Sequence, residues 1–218
     1  MKDIAVIGAG GNSVDILETI LDINHSMGKT VFRPIGFFDD NPALHGKEFS
    51  GFPVLGKLVD LKGYDGDLVF AIGSPNNHMR RHSIFESLEI SKKRFPSIVH
   101  PSSYASRSAK LGDGVVVLQQ VCIASSVELA SFVMVLPQTV VSHGVKVGDF
   151  TLIAGGVSIS GDCRVSNNCY IGTGSSLRGS VEVGSHSMVG MGSVVLSHVK
   201  KHSVVVGNPS RELRKNID

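Results

Sequence analysis

Residues 135–153 read VLPQTVVSHGVKVGDFTLI, and an aliphatic side chain recurs in this stretch at every sixth position. The same spacing runs unbroken from Leu111 to Val195, where all fifteen such positions are Leu, Ile or Val. A period of six matches neither an α-helix nor a plain strand. It is typical of a triangular solenoid in which each hexad forms one flat face and three hexads complete one coil.

This solenoid is predicted to be a parallel β-helix whose coils stack about 4.8 Å apart. The aliphatic residues then form an inward ladder, and the glycines are expected where the chain turns tightly. Five full coils would give a prism roughly 24 Å long. Because a one-dimensional stack needs capped ends, the charged, non-repeating residues 211–218 are predicted to form the C-terminal cap.

The chain before about residue 96 follows a different rule, because apolar runs there alternate with helix-like stretches. The runs are IAVIG at 4–8, VDILETILDI at 14–23, RPIGFFDD at 33–40, DLVFAIG at 67–73 and MRRHSIFESLEI at 79–90. This β-α-β-loop-β-α order implies a parallel sheet. We therefore predict a Rossmann-like α/β domain over residues 1–97, followed by the β-helix over residues 98–218.

Composition excludes several classes of function. The chain has 21 basic and 19 acidic residues, which offer no strong field for nucleic acid. We therefore expect no nucleic-acid partner. No apolar stretch approaches the roughly 18 residues of a membrane span, so we also expect no membrane insertion and a cytoplasmic location. Cys122, Cys163 and Cys169 lack metal-ligand spacing. They are predicted to be small core residues, and no metal site is expected.

Several motifs occur in an order that covers the whole chain. GAGGNS (8–13) follows the first predicted strand, FFDDN (37–41) ends the second, AIGSPNNHMRR (71–81) follows the third, and IVHPSSY (98–104) precedes the hexapeptide repeat. In these motifs the sequence resembles the sugar acetyltransferases of the sialic acid and bacillosamine pathways, which belong to the left-handed parallel β-helix acyltransferases. The resemblance implies an N-terminal domain that binds a nucleotide-sugar. It also implies a homotrimer that binds acetyl-coenzyme A (acetyl-CoA) between neighbouring β-helices.

The glycine turn and the acidic pair form the predicted nucleotide-sugar site. Glycines before a helix let backbone amides face an anionic ligand. As a dinucleotide fingerprint the turn is weak, because Ser13 replaces the third glycine, and a tight turn without a ligand is the plain alternative. The family commonly has His-Gly where this chain has Asn12-Ser13. The contacts implied by the resemblance are Gly8, Gly10, Gly11, Asn12, Asp39, Asp40, Ile72 and Gly73.

His143 is the candidate general base. An amine or hydroxyl that attacks a thioester must lose a proton, and imidazole titrates near neutral pH. The segment TVVSHGVKVGDF (139–150) looks like the family segment that carries the catalytic histidine. Gly161 follows one coil after His143 and would stack on it, and the family uses a glycine amide at the matching position as the oxyanion donor.

Alternatives stay open at this position. Gly144 stands where many family members have an acidic residue that orients the ring, so Asp149 or Asp162 would have to supply the carboxylate. His143 could instead pack at a subunit contact. A metal-dependent hydratase would need His143, His186 and His198 to converge, and two of these three occupy a different slot of the hexad from the first.

The resemblance also implies contacts to coenzyme A. VVVGNPSREL (204–213) resembles the closing segment of the family, which lies near the adenine end of the cofactor, and basic side chains there would neutralise phosphates. A solvated basic chain end needs no ligand, which is the alternative. The implied contacts are Gly161, Gly179, Gly207, Pro209, Lys200 and Arg211, with Lys201 beside them.

We therefore expect an acetyl-CoA-dependent acetyltransferase that acts on the amino group of a nucleotide-activated, UDP-linked amino sugar in surface-glycan biosynthesis. One alternative is an O-acetyltransferase acting on sialic acid or a related sugar. Another is a non-catalytic trimeric scaffold or sensor, for which Asn12 and Gly144 are the best support.

Overall fold

The structure is a computed structural model that describes residues 1–216. Its first part is an α/β domain with one five-stranded sheet. The elements are β1 (Lys2–Ile7), α1 (Gly11–Ser26), β2 (Phe32–Phe38), β3 (Glu48–Phe49), β4 (Phe52–Gly56), β5 (Asp67–Phe70) and α2 (Arg81–Ser87). Short 3-10 helices lie at Leu58–Gly63, His78–Arg80 and Lys92–Arg94.

The sheet of this domain is mainly parallel, as predicted. Its strand order is β3-β4-β2-β1-β5, and β1 pairs in parallel with both β2 and β5. The stretch predicted as a loop contains the antiparallel hairpin β3–β4. Residues 4–7 of β1 have no exposed surface, because a central strand of a parallel sheet is covered on both faces.

From Ile98 the chain forms two-residue strands at a spacing of six residues. They are β6 (Ile98–Val99), β7 (Tyr104–Ala105), β8 (Lys110–Leu111), β9 (Val116–Val117), β10 (Cys122–Ile123), β11 (Glu128–Leu129), β12 (Met134–Val135), β13 (Val140–Val141), β14 (Lys146–Val147), β15 (Leu152–Ile153), β16 (Ser158–Ile159), β17 (Arg164–Val165), β18 (Tyr170–Ile171), β19 (Ser176–Leu177), β20 (Glu182–Val183), β21 (Met188–Val189), β22 (Val194–Val195), β23 (Ser203–Gly207) and β24 (Ser210–Lys215).

These strands form the three faces of a triangular prism. The first face contains β6, β9, β12, β15, β18, β21 and β23, the second face β7, β10, β13, β16, β19 and β22, and the third face β8, β11, β14, β17 and β20. Paired residues are one coil apart, as in the parallel pair Val135 and Ile153. Every ladder residue from Val117 to Val195 is at most 3% exposed. The predicted period, coil and inward ladder are therefore confirmed.

The turns at the corners of the prism differ from the prediction that glycines occupy them. A residue with positive φ occurs at every sixth position from Gly114 to Gly192, and most of these residues are not glycine. Many of the remaining repeat glycines lie against the neighbouring coil instead. A Cβ on Gly148, for example, would lie 2.7 Å from the backbone nitrogen of Asn167. These glycines allow close stacking of coils rather than a tight turn.

The α/β domain covers the first face. Ile16 and Ile20 of α1 belong to one buried cluster with Met134 and Leu152 of that face. A second cluster joins the domains at the corner between the third and first faces, where the Phe132 and Phe150 rings stack at 4.9 Å. The other rings of that cluster are Phe70, Phe85 and Phe95. The two domains therefore share two apolar cores.

The other two faces differ in charge. The outward residues of the second face are uncharged, and they are Tyr104, Cys122, Val140, Ser158, Ser176 and Val194. Those of the third face are all charged, and they are Lys110, Glu128, Lys146, Arg164 and Glu182. On the third face the ammonium group of Lys146, at 3.2 Å, and that of Lys110, at 3.6 Å, lower the pKa of the Glu128 carboxyl.

The C-terminal end is capped by a strand. β24 runs antiparallel to β23 and contains most of the residues predicted to form the cap, while residues 217–218 of that prediction lie outside the described part of the chain. Cys163 and Cys169 are buried, whereas Cys122 is half-buried on the second face. Across residues 1–216 we find no helix that combines the length and apolarity needed to cross a bilayer.

Candidate active site

A cavity of about 500 Å³ lies at the carboxyl edge of the parallel sheet. Ligands of open α/β sheets bind at this edge. Most of the predicted nucleotide-sugar contacts meet there, because the turns after β1, β2 and β5 end side by side. The lining residues are Gly8, Ala9, Gly10, Gly11, Asn12, Ser13, Asp39, Ala71, Ile72, Gly73, Ser74, Pro75, Asn77, Leu136, Leu152 and Tyr170.

The glycine turn is shaped for close approach. Gly8 has φ +98°, and a Cβ there would lie 3.1 Å from the Ile72 side chain, so glycine suits this position on both counts. Helix α1 begins at Gly11, and the N–H of Gly10 donates to the Ser13 hydroxyl at 3.2 Å. The free N–H groups of the first helical turn therefore face a cavity suited to an anion.

The two predicted aspartates lie in different places. The Asp39 carboxylate lines the cavity and accepts hydrogen bonds from the N–H groups of Ala9 at 2.7 Å and Asn41 at 2.8 Å. The Asp40 carboxylate instead accepts from the N–H of Leu58 at 2.9 Å and is not among the lining residues. Successive side chains at a strand end point in opposite directions, so only one of the pair faces the cavity.

Asn12 connects the two loops that flank the cavity. Its side-chain NH₂ donates to the Gly73 carbonyl at 2.9 Å. The amide therefore ties the β1–α1 turn to the segment after β5. Asn12 lies at the predicted position, and in this state its donor group bonds to the protein itself.

His143 lies at the corner between the second and third faces, where its side chain is exposed. Gly161 stacks directly on the ring, since a Cβ on Gly161 would lie 2.5 Å from His143 Nε2. Among residues 1–216 the Gly161 N–H has no hydrogen-bond acceptor. Ser142 Oγ lies 3.3 Å from Nδ1. Donation from Nδ1–H to this hydroxyl would leave Nε2 as the basic nitrogen on the Gly161 side.

The two candidate orienting carboxylates are separated by the fold. Asp162 stacks on Gly144, where a Cβ would collide with its Oδ1, and its N–H donates to the His143 carbonyl at 2.9 Å. Asp149 lies at the corner between the third and first faces and accepts from the Ser131 N–H at 2.8 Å. Asp162 is therefore the carboxylate next to the histidine, and it occupies the space that a residue larger than glycine at 144 would need.

The predicted coenzyme A contacts are spread over all three corners of one chain. Gly161 and Gly179 stack above His143, with the Gly179 Cβ position 3.4 Å from the Gly161 carbonyl. Gly207 and Pro209 form the turn between β23 and β24 near the corner of the first and second faces. Arg211 lies on β24, and Lys200 and Lys201 belong to the corner between the third and first faces. A single chain does not bring these groups together.

The remaining histidines and thiols do not build a second centre in the described part of the chain. The His186 ring stacks on His202 at 4.9 Å, and His198 Nδ1 accepts from the Glu182 N–H at 3.0 Å. No three His, Cys, Asp or Glu residues of 1–216 are grouped so as to hold a metal ion. Burial raises the pKa of the Cys169 thiol to about 12, so that this group is not a thiolate near neutral pH.

The sequence analysis assigned no cavity wall to the β-helix, which supplies three of the lining residues. Leu136, Leu152 and Tyr170 come from the β-helix and form the wall opposite the glycine turn. Burial raises the pKa of the Tyr170 phenol. The signal in the sequence is the run of large side chains at the outward slots of the first face, Met134, Leu152 and Tyr170, which indicates a covered face and predicts two of the three wall residues.

Comparisons with known proteins agree with this architecture. The model of the PglD N-terminal domain matches residues 3–88, and that of the bacterial transferase hexapeptide (six repeats) matches residues 162–197. A UDP-N-acetylbacillosamine N-acetyltransferase of Bacillus subtilis (strain 168) is 31% identical over 121 residues, which are 54% of this chain and 52% of that protein. The match thus spans about half the length of the curated relative.

Solved structures match over almost the entire chain. The acetyltransferase domain of PglB from Neisseria gonorrhoeae FA1090 has a TM-score of 0.85 at 29% identity, covering 98% of this chain and 100% of that one. PerB from Caulobacter crescentus, solved with CoA and GDP-perosamine, has a TM-score of 0.82 over 98% of both chains, and at 22% identity it supports the fold alone. A PglD-type N-terminal domain followed by a left-handed parallel β-helix of hexapeptide repeats is therefore the architecture that this chain shares with the acetyltransferase domain of PglB.

Proposed function

We propose that the protein transfers an acetyl group from acetyl-CoA to the amino group of a nucleotide-activated amino sugar, UDP-linked, in surface-glycan biosynthesis. The observation that carries this proposal is the stacking of Gly161, with its unengaged N–H, on the exposed imidazole of His143. A base and an adjacent oxyanion donor are the two groups that aminolysis of a thioester requires. The acetyl donor and the amine acceptor are supported by the named activities of the relatives.

In the proposed reaction His143 Nε2 accepts a proton from the sugar amine while the amine nitrogen bonds to the thioester carbonyl carbon. The Gly161 N–H donates to the oxygen that becomes negative in the tetrahedral intermediate. His143 then returns the proton as the C–S bond breaks, which yields the amide and the free thiol of CoA. No acyl-enzyme is formed, in keeping with the buried, high-pKa thiol of Cys169.

The cavity of the α/β domain is proposed to hold the nucleotide part. The N–H groups at the start of α1 suit the diphosphate, and the remaining lone pairs of the Asp39 carboxylate suit a ribose hydroxyl. The wall formed by Leu136, Leu152 and Tyr170 offers apolar surface for a base or sugar ring. Asp40 faces Leu58 instead, so we exclude it from this proposed site.

This arrangement requires a second copy of the chain. The cavity lies beside the first face, whereas His143 lies at the corner between the second and third faces. In a trimer whose second faces turn towards the three-fold axis, the His143 corner of one subunit would adjoin the first–second corner of the next, near Leu136 and Gly207. The uncharged second face supports this choice, because interface cores are depleted in charge, whereas the third face carries a charged residue in every coil.

A charge on the second face should therefore dissociate the trimer. Val140 is 44% exposed in the single chain, and a glutamate there would be buried against the neighbouring subunit without a partner. We expect Val140→Glu to sediment as a monomer and to lose transfer activity. Arg164→Gln changes the net charge by the same amount on the third face and should remain trimeric. Monomeric wild-type protein with full activity would contradict this assembly.

The proposed function is tested by release of thiol from acetyl-CoA with a panel of acceptors. The panel contains UDP-, dTDP- and GDP-linked amino sugars, their hydroxyl analogues and free sialic acid. Release with an amino sugar alone is the expected result. Release only with hydroxyl acceptors would favour the O-acetyltransferase, and binding of acetyl-CoA without turnover on any acceptor would favour the scaffold. The cytoplasmic location expected from the sequence stays a prediction.

A further inference from the structure

Arg81 is fully buried behind the cavity. It is neither the proposed base nor one of the proposed ligand contacts. Its side chain is among the largest with less than 2% exposure, and within residues 1–216 no carboxylate lies at ion-pair distance from it. Burial lowers the pKa of this guanidinium to about 9. A buried cation without an anion is costly, and its contacts indicate what it does.

The guanidinium bonds to the backbones of both domains beside the cavity. Arg81 Nε donates to the Ile72 carbonyl at 2.8 Å, and Nη1 donates to the Phe150 carbonyl at 2.7 Å. Ile72 lines the cavity in the segment after β5, whereas Phe150 lies two residues before Leu152 of the β-helix wall. Its planar, rigid fork fixes the separation of these two carbonyls, which a flexible ammonium group would not.

The bond to the Ile72 carbonyl also sets the direction of the next N–H. In a trans peptide the C=O and the following N–H point in opposite directions, so the Gly73 N–H points away from the buried guanidinium. Gly73 lines the cavity, and in the described chain its N–H has no hydrogen-bond acceptor. The Gly73 carbonyl is held in turn by Asn12, so both peptide planes that flank this glycine are fixed.

Gly73 is closely packed against its neighbours. A Cβ at this position would lie 2.7 Å from Leu152 Cδ1 and 3.4 Å from Arg81 Nε. The backbone of Gly73 therefore passes between the guanidinium and the β-helix wall. It presents its N–H on the cavity side, opposite the first turn of α1.

We propose that Arg81 is a positioning residue for the nucleotide-sugar, which aims the Gly73 N–H at the diphosphate and sets the distance between the α/β wall and the β-helix wall of the cavity. This inference rests on the proposed function, because it assumes that the cavity holds a nucleoside diphosphate. Arg81 would touch no ligand itself, but it would affect binding of the nucleotide-sugar and not of acetyl-CoA.

The test compares Arg81→Lys with Arg94→Lys. Arg94 also donates its guanidinium hydrogen bonds to backbone carbonyls of the α/β domain, those of Gly66 and Tyr64, but these precede β5 and lie at the opposite edge of the sheet from the cavity. We expect Arg81→Lys to raise the KM for the nucleotide-sugar and the Kd for UDP about tenfold or more. The KM for acetyl-CoA should change less than about twofold, and Arg94→Lys should change neither substrate constant.

A measurement on the wild type guards against a variant that fails to fold. Hydrogen exchange of segment 71–74 should slow when UDP is added, because the Gly73 N–H gains an acceptor, while segment 64–67 should not respond. Unchanged UDP affinity in a folded Arg81→Lys, or absence of protection at 71–74 under saturating UDP, would overturn this inference but not the proposed function. Wild-type protein that binds none of UDP, GDP and dTDP would contradict both the inference and the proposed function.

Discussion

Replacement of His143 by alanine is expected to lower kcat by a factor of roughly 10² to 10⁴, the contribution typical of a positioned general base. The side chain is exposed in the single chain, so the substitution should leave the folded structure and its melting temperature almost unchanged. Thiol release from acetyl-CoA with the best acceptor measures kcat, and calorimetry with CoA and UDP measures binding. We expect both binding constants to stay within about threefold of wild type.

The control for this variant is His25→Ala. His25 is an exposed histidine in the last turn of α1, remote from the corner that carries His143, and its loss should leave kcat unaffected. His143→Ala with wild-type kcat would remove the base from the proposed mechanism, and a large loss of CoA binding would favour a role in ligand binding or subunit packing instead.

Gly161→Ala is expected to lower kcat about a hundredfold while it retains the backbone N–H. The added Cβ would lie 2.5 Å from Nε2 and 2.7 Å from Cε1 of His143, so the imidazole must leave its position. Because an exposed ring can swing away, the free energy of unfolding should change little, whereas a misplaced base loses its alignment with the amine. Steady-state kinetics and thermal unfolding on the same preparation separate the two effects.

Gly63→Ala provides the comparison. Its Cβ would meet no atom within 4 Å, so both kinetics and melting temperature should match the wild type. If Gly161→Ala retained full kcat, the stacking of Gly161 on the histidine would have no part in catalysis.

Features that depend only on spacing along the chain could be predicted from the sequence. The stacking of Gly161 on His143 follows from counting, because the inward ladder fixes one coil at 18 residues. The same count places Asp162 over Gly144 and puts Asp149 at another corner. The choice between these two carboxylates could therefore have been made from the sequence.

Features that depend on tertiary contacts were less accessible. Asp39 and Asp40 are adjacent and alike in sequence, but only the end of β2 within the folded sheet decides which of them faces the cavity. The β-helix wall of Leu136, Leu152 and Tyr170 depends on docking of the α/β domain against the first face. Arg81 carried no signal at all, since a basic residue in a helical segment is ordinarily solvated.

The coil of 18 residues also limits how this protein can gain or lose sequence. Deletion of one complete coil would leave every later residue on its own face, because the pairs across the gap, such as Val135 and Ile171, occupy equivalent positions. Deletion of a single hexad would keep the inward ladder intact but rotate all later outward residues by one face. The charged third-face side chains would then move onto the uncharged second face. Insertions and deletions in the solenoid should therefore be tolerated in multiples of three hexads, and a change of one or two hexads should fold but fail to assemble.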